Sequence, residues 1–321
     1  MNHEKAIAVQ VERARAVIRR QHKAIATEQA YCGWLWRYFR FIYSLPKEMP
    51  SEGKAEAFLN TLAKRDVSAS TQNGAFHAIR FFYQDVLGKP LEKVDALRAS
   101  RPEQVRRALP LAETKLLLAD VRDVSGYPTN LITRLIYGCG LRVSEPLELR
   151  VKDLQFDESK LFVMSGKGRK DRVVNLPCSL VDELQEQLVF AKTIWKRDAA
   201  AKIPVQLPHQ LAAKYPEYQF AWPWAWVFPL RWPSRHPRTG ETVRYHVLPS
   251  AVQQAVKESR RRLGISVVPH ELRHSYATHL LDRGTNLKAL SKAMGHVQIE
   301  TTAGYCHAEA LSVASPLDQL T

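Results

Sequence analysis

A junction between two helices carries the first side chain that could act on a phosphodiester. Gly138 and Gly140 end one helix, Arg142 follows them, and Pro146 fits only in the first turn of the next helix. Free backbone N–H groups at such a junction favour anions. Arg142 is therefore a candidate ligand of a phosphate group.

A second group lies at the start of a later helix, where Pro269 suits the first helical position. His270, Arg273 and His274 follow at positions i, i+3 and i+4, which share one helical face. Such a face suits the oxygens of a phosphate, because arginine offers a two-pronged fork and histidine a proton or a hydrogen bond.

The third group combines a histidine with a tyrosine. Gly295 closes a helix and leaves His296 just past its end. Thr301 or Thr302 can cap a following helix that carries Tyr305. The hydroxyl of Tyr305 is therefore a candidate nucleophile.

Together these groups match what transesterification of a phosphodiester requires. At pH 7 only about one free tyrosine in a thousand is ionised, a shortfall of roughly 4 kcal/mol that a base or a concerted proton transfer must cover. Arg142 and Arg273 could clamp the extra negative charge of a pentavalent phosphorane. Lys167, at the tip of a predicted hairpin, is a candidate acid for the leaving 5′ oxygen. This chemistry needs no metal and no cofactor, and we predict none.

A zinc site is the alternative for the second group, because His270 to His274 also match H-E-x-x-H. The extended zinc-protease pattern fails, since Ala277 and Leu280 occupy its glycine and third-histidine positions. Arg273 would also place a cation beside a dication. A more distant carboxylate ligand such as Glu300 keeps this alternative open.

Apolar periodicity predicts the elements that position these residues. A helical stripe begins at residue 35, and others are predicted at 58–62, 75–86, 116–121, 131–137, 181–188, 252–263, 272–281 and 287–294. Residues 160–164 and 172–176 are short β-like runs around a charged, Gly-rich turn that holds Lys167, which predicts a hairpin. The predicted fold class is mainly α with a small antiparallel β-sheet, in two domains.

We place a helical domain at residues 1–92, a linker at 93–107 and a second domain at 108–321. The linker is basic, and four of its arginines are candidates for contacts along a nucleic-acid backbone: Arg98, Arg101, Arg106 and Arg107. A solvated run of charge is the alternative.

A tryptophan-rich insertion occupies about residues 194–232 and holds five of the seven tryptophans. Pro223 and Pro233 disfavour an ordinary core helix or central strand there. Trp222, Trp224 and Trp226 are candidates for stacking on unpaired bases, at roughly 1–3 kcal/mol each. Burial in a packed excursion of the core is the alternative.

The net charge narrows the class of partner. Lys and Arg number 47 against 32 Asp and Glu, a formal net charge of +15 that attracts polyanions. Nucleic acid is the predicted partner, with an anionic membrane surface as the alternative. No apolar run approaches a membrane span, no signal peptide is recognised, and the four cysteines are scattered without a CxxC pair, which favours reduced thiols in a cytoplasmic, nucleoid-associated protein.

The order and spacing of these residues resemble the tyrosine recombinases, also called phage integrases, over nearly the whole chain. That family has Arg, a hairpin Lys, H-x-x-R, Gly-His and Tyr in this order, matched here by Arg142, Lys167, His270, Arg273, His296 and Tyr305. The resemblance implies a SAM-like helical core-binding domain and a mixed α/β catalytic domain that clamp DNA from two faces. It also implies a 3′-phosphotyrosyl intermediate on Tyr305. Glu145 matches an acidic position that supports the first arginine, and His274 is either supporting or structural.

Residues 211–216 and 222–228 are similar to an extra segment of the integron integrases, and residues 27–31 and 315–320 also resemble that group. The likeness implies a homotetramer that recombines gene cassettes at folded single-stranded attC hairpins, recognised through extrahelical bases, and at duplex attI sites. A duplex-specific phage integrase, a chromosome-dimer resolvase and a non-catalytic DNA-binding protein remain the alternatives.

Overall fold

A computed structural model describes residues 2–65, 67–99, 108–164, 171–207 and 211–295 of the chain. The chain divides into two compact units, Met1–Val105 and Arg106–Thr321. None of the described helices is long and apolar enough to cross a membrane.

The described part of the first unit is helical. Its helices are α1 (Asn2–Arg20), α2 (Ile25–Ile42), α3 (Ser51–Lys64) and α4 (Ala69–Phe81), and α4 continues into a π-helical turn, Phe82–Val86. Leu35, Tyr38 and Ile79 are fully buried, as their helical spacing predicts. The Tyr38 and Tyr83 hydroxyls form a hydrogen bond of 2.9 Å inside this core.

An extended segment, residues 91–99, is held on this helical unit by side chains. Three of its backbone N–H groups donate hydrogen bonds to side-chain oxygens of α3, on Glu52, Glu56 and Asn60, which follow one another at one-turn intervals. Gln72 of α4 donates to the Leu97 carbonyl at 2.6 Å and accepts the Ala99 N–H at 3.0 Å. The first part of the segment that the sequence indicates as a linker thus packs on the first unit.

The second unit surrounds a small sheet with helices. The helices are α5 (Leu111–Asp120), α6 (Thr129–Gly138), α7 (Ser144–Leu147), α8 (Val181–Ala200), α9 (Leu211–Lys214), α10 (Pro249–Leu263), α11 (Pro269–Leu281) and α12 (Leu287–Met294). The sheet has the antiparallel order β1 (Leu154–Gln155), β2 (Lys160–Val163) and β3 (Arg172–Asn175). The mainly helical fold class with a small antiparallel sheet is confirmed.

The predicted hairpin is also confirmed, with Lys160 opposite Asn175 and Val163 opposite Arg172. Its tip, residues 165–170, includes Lys167 and lies outside the described residues. The sequence did not predict β1, which is only two residues long and carries no alternation of its own. α6, α10 and α11 pack together around a core that contains the fully buried Ile132, Leu135 and Leu147.

The tryptophan-rich insertion combines the end of α8 with short elements. After α9 come two 3-10 turns, Pro216–Gln219 and Trp222–Trp224. A small hairpin of β4 (Ser234–Arg235) and β5 (Thr242–Val243) follows just after the insertion. The expectation that this stretch is not core is wrong for residues 225–229, which are buried. Their backbone pairs with the chain that follows α7, since Val151 donates to the Ala225 carbonyl and Val227 to the Leu149 carbonyl. These bonds satisfy backbone groups of the buried residues 225 and 227.

Candidate active site

Arg142 lies in the loop between α6 and α7. The path of this loop depends on Gly140, which no other residue could replace without strain. Gly140 has φ +61°, and a Cβ atom there would lie 2.4 Å from the ring of Tyr276 on α11. Two residues later, the Arg142 backbone N–H donates to Glu145 Oε2 at 2.7 Å, and its Nη1 donates to Oε1 at 2.8 Å. Arg142 is therefore held at both its backbone and its guanidinium group by the first turn of α7.

Helix α11 brings the second arginine to the same loop. The helix begins at Pro269, and the Glu271 carboxylate caps it by accepting the Val268 N–H at 2.7 Å. Arg273 is 1% exposed and donates to the Gly140 and Met294 carbonyls, both at 2.6 Å. Arg273 thus links α11 to the α6–α7 loop and to the C-terminal end of α12.

Two of the three histidines of α11, His270 and His274, lie together, as their spacing predicts. The ring centroids of His270 and His274 are 4.7 Å apart, and the ring planes are nearly perpendicular, at 89°. Both side chains are half-buried. This arrangement places two imidazoles on the helical face that also carries Arg273.

Glu145 is the hub of the site. Its two oxygens accept the Arg172 Nη1 and Nη2 groups at 2.9 and 2.7 Å, and its Oε2 lies 3.7 Å from Arg273 Nη1. Burial by itself would raise the pKa of Glu145, but the hydrogen bonds and charge of Arg172, followed by the bonds from Arg142, outweigh it and lower the pKa to about 2. The carboxylate is therefore ionised at any physiological pH.

Charge balance makes this site attractive to an anion. In the described part of the chain, the guanidinium groups of Arg142, Arg172 and Arg273 share the carboxylate of Glu145. Arginine keeps its charge at neutral pH, so the three cations outnumber their common carboxylate. Cations at this density favour a further anion, and guanidinium forks match the oxygens of a phosphate. The arrangement can therefore bind a phosphodiester and stabilise charge that develops on it.

The zinc-site alternative is not tested through Glu300, which lies outside the described residues, but the role of Glu271 differs from the one that a zinc site requires. In a zinc protease of the H-E-x-x-H type the glutamate acts as a base at the metal, whereas here Glu271 caps the helix backbone. Among the described residues, no three histidine, cysteine or carboxylate side chains come together as a metal-binding group would.

Sequence comparison assigns the chain to a family. A sequence model described as "Phage integrase family" matches residues 101–311, and one described as "Phage integrase, N-terminal SAM-like domain" matches residues 11–93. An "Integrase/recombinase" of Escherichia coli is 38% identical over 317 residues, which cover 97% of this chain and 93% of the relative. The chain belongs to the phage integrase family. It is a tyrosine recombinase, an enzyme that cuts and rejoins DNA by transesterification.

More distant recombinases share the fold. "Tyrosine recombinase XerA" of Pyrococcus horikoshii is 28% identical and matches 88% of this chain and 83% of its own length. The solved structure of XerH bound to difH substrate aligns with a TM-score of 0.62 at 17% identity, covering 95% of this recombinase and 84% of that chain. The Tn1549 transposon integrase in complex with circular intermediate DNA aligns with a TM-score of 0.61 at 16% identity, over 97% and 99% of the two chains.

The structure joins four of the residues chosen from the sequence. Arg142, Glu145 and Arg273 meet at the hub, and His270 stands one helical turn before Arg273 on α11. Lys167, His296 and Tyr305 lie outside the described residues, and so do three of the candidate backbone-contacting arginines, Arg101, Arg106 and Arg107. The fourth, Arg98, lies on the extended segment of the first unit and donates to Asn73 Oδ1 at 3.2 Å.

The three candidate tryptophans occupy different environments. Trp226 is 4% exposed, donates its indole N–H to the Arg244 carbonyl at 3.0 Å, and lies under the Arg150 guanidinium at 3.5 Å. Trp226 is therefore a packed core residue. Trp222 and Trp224 are half-buried and are the candidates that a base could approach.

Trp224 belongs to a stack of parallel rings that the sequence did not predict. Tyr215 and Tyr218 have centroids 4.9 Å apart, Tyr218 and Trp224 5.2 Å apart, and each pair is tilted by only 19°. Lys214 lies 5.2 Å from the Tyr215 ring and Lys152 4.6 Å from the Trp224 ring. We call these three rings and two lysines the aromatic ladder.

Sequence reasoning also missed Arg172. The side chain is 5% exposed, and its guanidinium group bonds to both oxygens of Glu145, at 2.9 and 2.7 Å. A signal was present, because Val163 and Arg172 are the paired ends of the hairpin and the inward alternation of β3 places Arg172 on the same face as Val174. An arginine on the buried face of a strand requires a partner.

Proposed function

We propose that this recombinase cleaves DNA with Tyr305 as the nucleophile, forming a 3′-phosphotyrosyl link and a free 5′-hydroxyl. Arg142, Arg273, His270 and His296 bind the scissile phosphate and stabilise the phosphorane. Lys167 protonates the leaving 5′ oxygen. The energy of the broken bond is kept in the new ester, so rejoining requires no nucleotide hydrolysis and no cofactor. His274 supports His270 by ring contact.

The arginine cluster on Glu145 is the observation that carries this proposal. Arg142 and Arg273 approach the same carboxylate at 2.8 and 3.7 Å from different elements, so their positions are set before the substrate arrives. Pre-positioned charges stabilise a transition state without reorganisation, and removal of one such donor costs roughly 2.7–4 kcal/mol in other enzymes. Arg142→Ala should therefore slow cleavage by about 100- to 1,000-fold while Tyr305 stays in place.

Covalent trapping tests the mechanism. Purified protein is incubated with nicked suicide substrates, with and without EDTA, and denaturation-resistant protein–DNA product is measured. We expect product from wild type and none from Tyr305→Phe, because the phenyl ring has no nucleophilic oxygen. Binding without product on any site would instead assign the chain to non-catalytic DNA-binding proteins. Loss of product with EDTA would reinstate a metal-dependent reaction.

We further propose that the substrates are integron attC hairpins and duplex attI sites, bound by a homotetramer. The aromatic ladder supports the hairpin substrate, because it combines aromatic rings with two lysines, the two kinds of side chain that bind single-stranded nucleic acid. A lysine side chain is flexible, so an unpaired base, which duplex DNA does not present, could displace it from an end ring and stack there. Extrahelical bases of a folded single strand would reach these rings. Assembly is tested by the mass of the protein–DNA complex in solution, where a tetramer with two DNA sites is expected.

The hairpin substrate is tested by a ratio of two rates. Wild type and Trp224→Ala are compared on a folded attC hairpin and on a duplex half-site with the same cleavage sequence. Loss of one stacking platform, worth roughly 1–3 kcal/mol, should reduce the hairpin rate by about 5- to 150-fold and leave the duplex rate little changed. Trp232→Ala is the matched control, because Trp232 is 74% exposed in the same insertion but lies outside the aromatic ladder. An unchanged ratio in Trp224→Ala would overturn the hairpin proposal.

A duplex-specific resolvase is the second candidate. The relatives named XerA match 77–90% of this chain, and XerH aligns over 95% of it. If this candidate is correct, wild type forms covalent product on duplex sites and none on the hairpin, and the ladder variants have no effect on either rate.

A further inference from the structure

We propose that Arg172 is a positioning residue for the reaction: it holds Glu145, and through Glu145 it sets the guanidinium of Arg142 against the scissile phosphate. This role rests on the function proposed above, in which Arg142 binds that phosphate. Arg172 itself touches no reacting atom in the proposal.

The guanidinium group of Arg172 binds two partners, the carboxylate of Glu145 and a backbone carbonyl at the end of α12. Nη1 and Nη2 donate to the two oxygens of Glu145, and Nε donates to the Ala293 carbonyl at 2.8 Å. The side chain is 5% exposed, so water does not compete for these bonds. Because the carboxylate is gripped at both oxygens, it has one orientation, and Arg142 bonds to it in that orientation through both its N–H and its Nη1.

The fit around Arg172 is close on its other side. A Cβ atom at Gly295 would lie 3.0 Å from Arg172 Cδ, so the left-handed turn that ends α12 is shaped around this side chain. Arg172 and Arg273 also bind successive carbonyls there, Ala293 and Met294, where the helix dipole is negative. β3, α7 and the end of α12 are thereby joined through one side chain.

Only arginine can make this set of bonds. Lysine keeps the charge but offers a single ammonium group, which cannot grip both oxygens of Glu145 and also reach Ala293. In Arg172→Lys the carboxylate becomes free to rotate, and Arg142 moves with it. Misplacement of a phosphate ligand by about 1 Å can cost about 100-fold in rate, so we expect a 10- to 100-fold slower cleavage.

The experiment separates misplacement of Arg142 from general damage by changing the charge of the phosphate. Cleavage is measured on the half-site that wild type cuts fastest, once with a normal scissile phosphodiester and once with a neutral methylphosphonate. The methylphosphonate has one negative charge fewer for Arg142 to stabilise. Both rates come from the same preparation, so their ratio does not depend on the fraction of folded enzyme.

Arg172→Lys should lower the phosphodiester rate 10- to 100-fold and the methylphosphonate rate by less than about threefold, because only the charged transition state uses the clamp. Arg142→Ala should lower the ratio in the same way. The double variant should show no further fall, since Arg172 acts through Arg142. Arg244→Lys is the matched control: it breaks another buried fork, between Arg244 and Asp198, and should leave the ratio unchanged.

Equal losses on the two substrates in Arg172→Lys would overturn the positioning role and leave a structural ion pair. So would additive effects of Arg172→Lys and Arg142→Ala on the ratio. Absence of covalent product from wild type on every half-site would overturn the proposed function itself, and the role of Arg172 with it. A wild-type enzyme that cleaves, with an unchanged ratio in Arg172→Lys, refutes the positioning role alone.

Discussion

Replacement of Glu145 by glutamine should lower the free energy of unfolding of the second unit at pH 6, and by less at pH 3. Glutamine has nearly the same shape but cannot ionise, so the guanidinium groups of Arg142, Arg172 and Arg273 lose their common countercharge. The change tests whether the ionised carboxylate, rather than its shape, holds the site together.

The magnitude follows from the pKa of Glu145, which is lowered from the usual 4.5 to about 2 in the folded protein. A lowered carboxyl pKa means that ionisation stabilises the fold above the unfolded-state value, and that this stability is lost as the pH falls through the folded-state value. A pKa shift of this size contributes about 3 kcal/mol to the free energy of unfolding at pH 6. About 1 kcal/mol of this contribution is left at pH 3.

Urea unfolding at pH 6 and at pH 3 measures this difference for wild type and Glu145→Gln. Tryptophan fluorescence follows the second unit, because five of the seven tryptophans lie in it. The free energy of unfolding of wild type should exceed that of the variant by about 3 kcal/mol or more at pH 6, and the excess should shrink by about 2 kcal/mol at pH 3. Carboxyl groups remote from residue 145 titrate equally in both proteins and cancel from the comparison. Glu148 does not, because burial and the charge of Glu145 both raise its pKa, and the second of these causes is lost in the variant.

Glu183→Gln is the control, because Glu183 pairs with Arg134 at the surface, with 44% of its side chain exposed. Such a pair contributes about 0–1 kcal/mol, and its loss should show no comparable pH dependence. If the deficit of Glu145→Gln is the same at both pH values, the ionised state of Glu145 does not stabilise the arginine cluster, and the electrostatic account of the site is refuted.

Three further changes probe how the site and the two units are built. Gly140→Ala places a methyl group against Tyr276 at positive φ and should destabilise the second unit by roughly 3 kcal/mol, read as a fall in melting temperature; unchanged melting would show that the loop can move aside. Gln72→Leu removes the bonds to the extended segment and should speed amide exchange at Ala99 with a loss of roughly 2 kcal/mol in the first unit, whereas unaltered exchange would mean that the segment is held by other contacts. Arg150→Met leaves the backbone carbonyls of the insertion without their donor and should cost roughly 1–3 kcal/mol with a shift in tryptophan emission; an unshifted spectrum would count against a role for Arg150 in holding the insertion.

The sequence by itself determined the elements and the class of chemistry. Pro269 and the apolar spacing that follows it are local signals, and α11 begins at that residue with His270 and His274 in ring contact. The hairpin β2–β3 also follows from local alternation around a Gly-rich turn. Helix starts, turns and periodicity depend on neighbours in the chain, so they can be inferred without knowledge of the fold.

The tertiary structure alone decided which residues share a site and what each insertion residue does. Glu145 and Arg172 are 27 positions apart, and Arg172 and Ala293 are 121 apart, so no periodicity links them. Trp224 and Trp226 stand two residues apart in one Trp-rich run, yet one ends a ring stack and the other is core. Burial and ion pairing arise from surfaces brought together by the whole fold, because they depend on long-range packing that a local pattern does not encode. For the same reason the sequence identified Arg142 and Arg273 as partners of a phosphate, while the carboxylate that holds them and the arginine that holds the carboxylate emerged only from the folded chain.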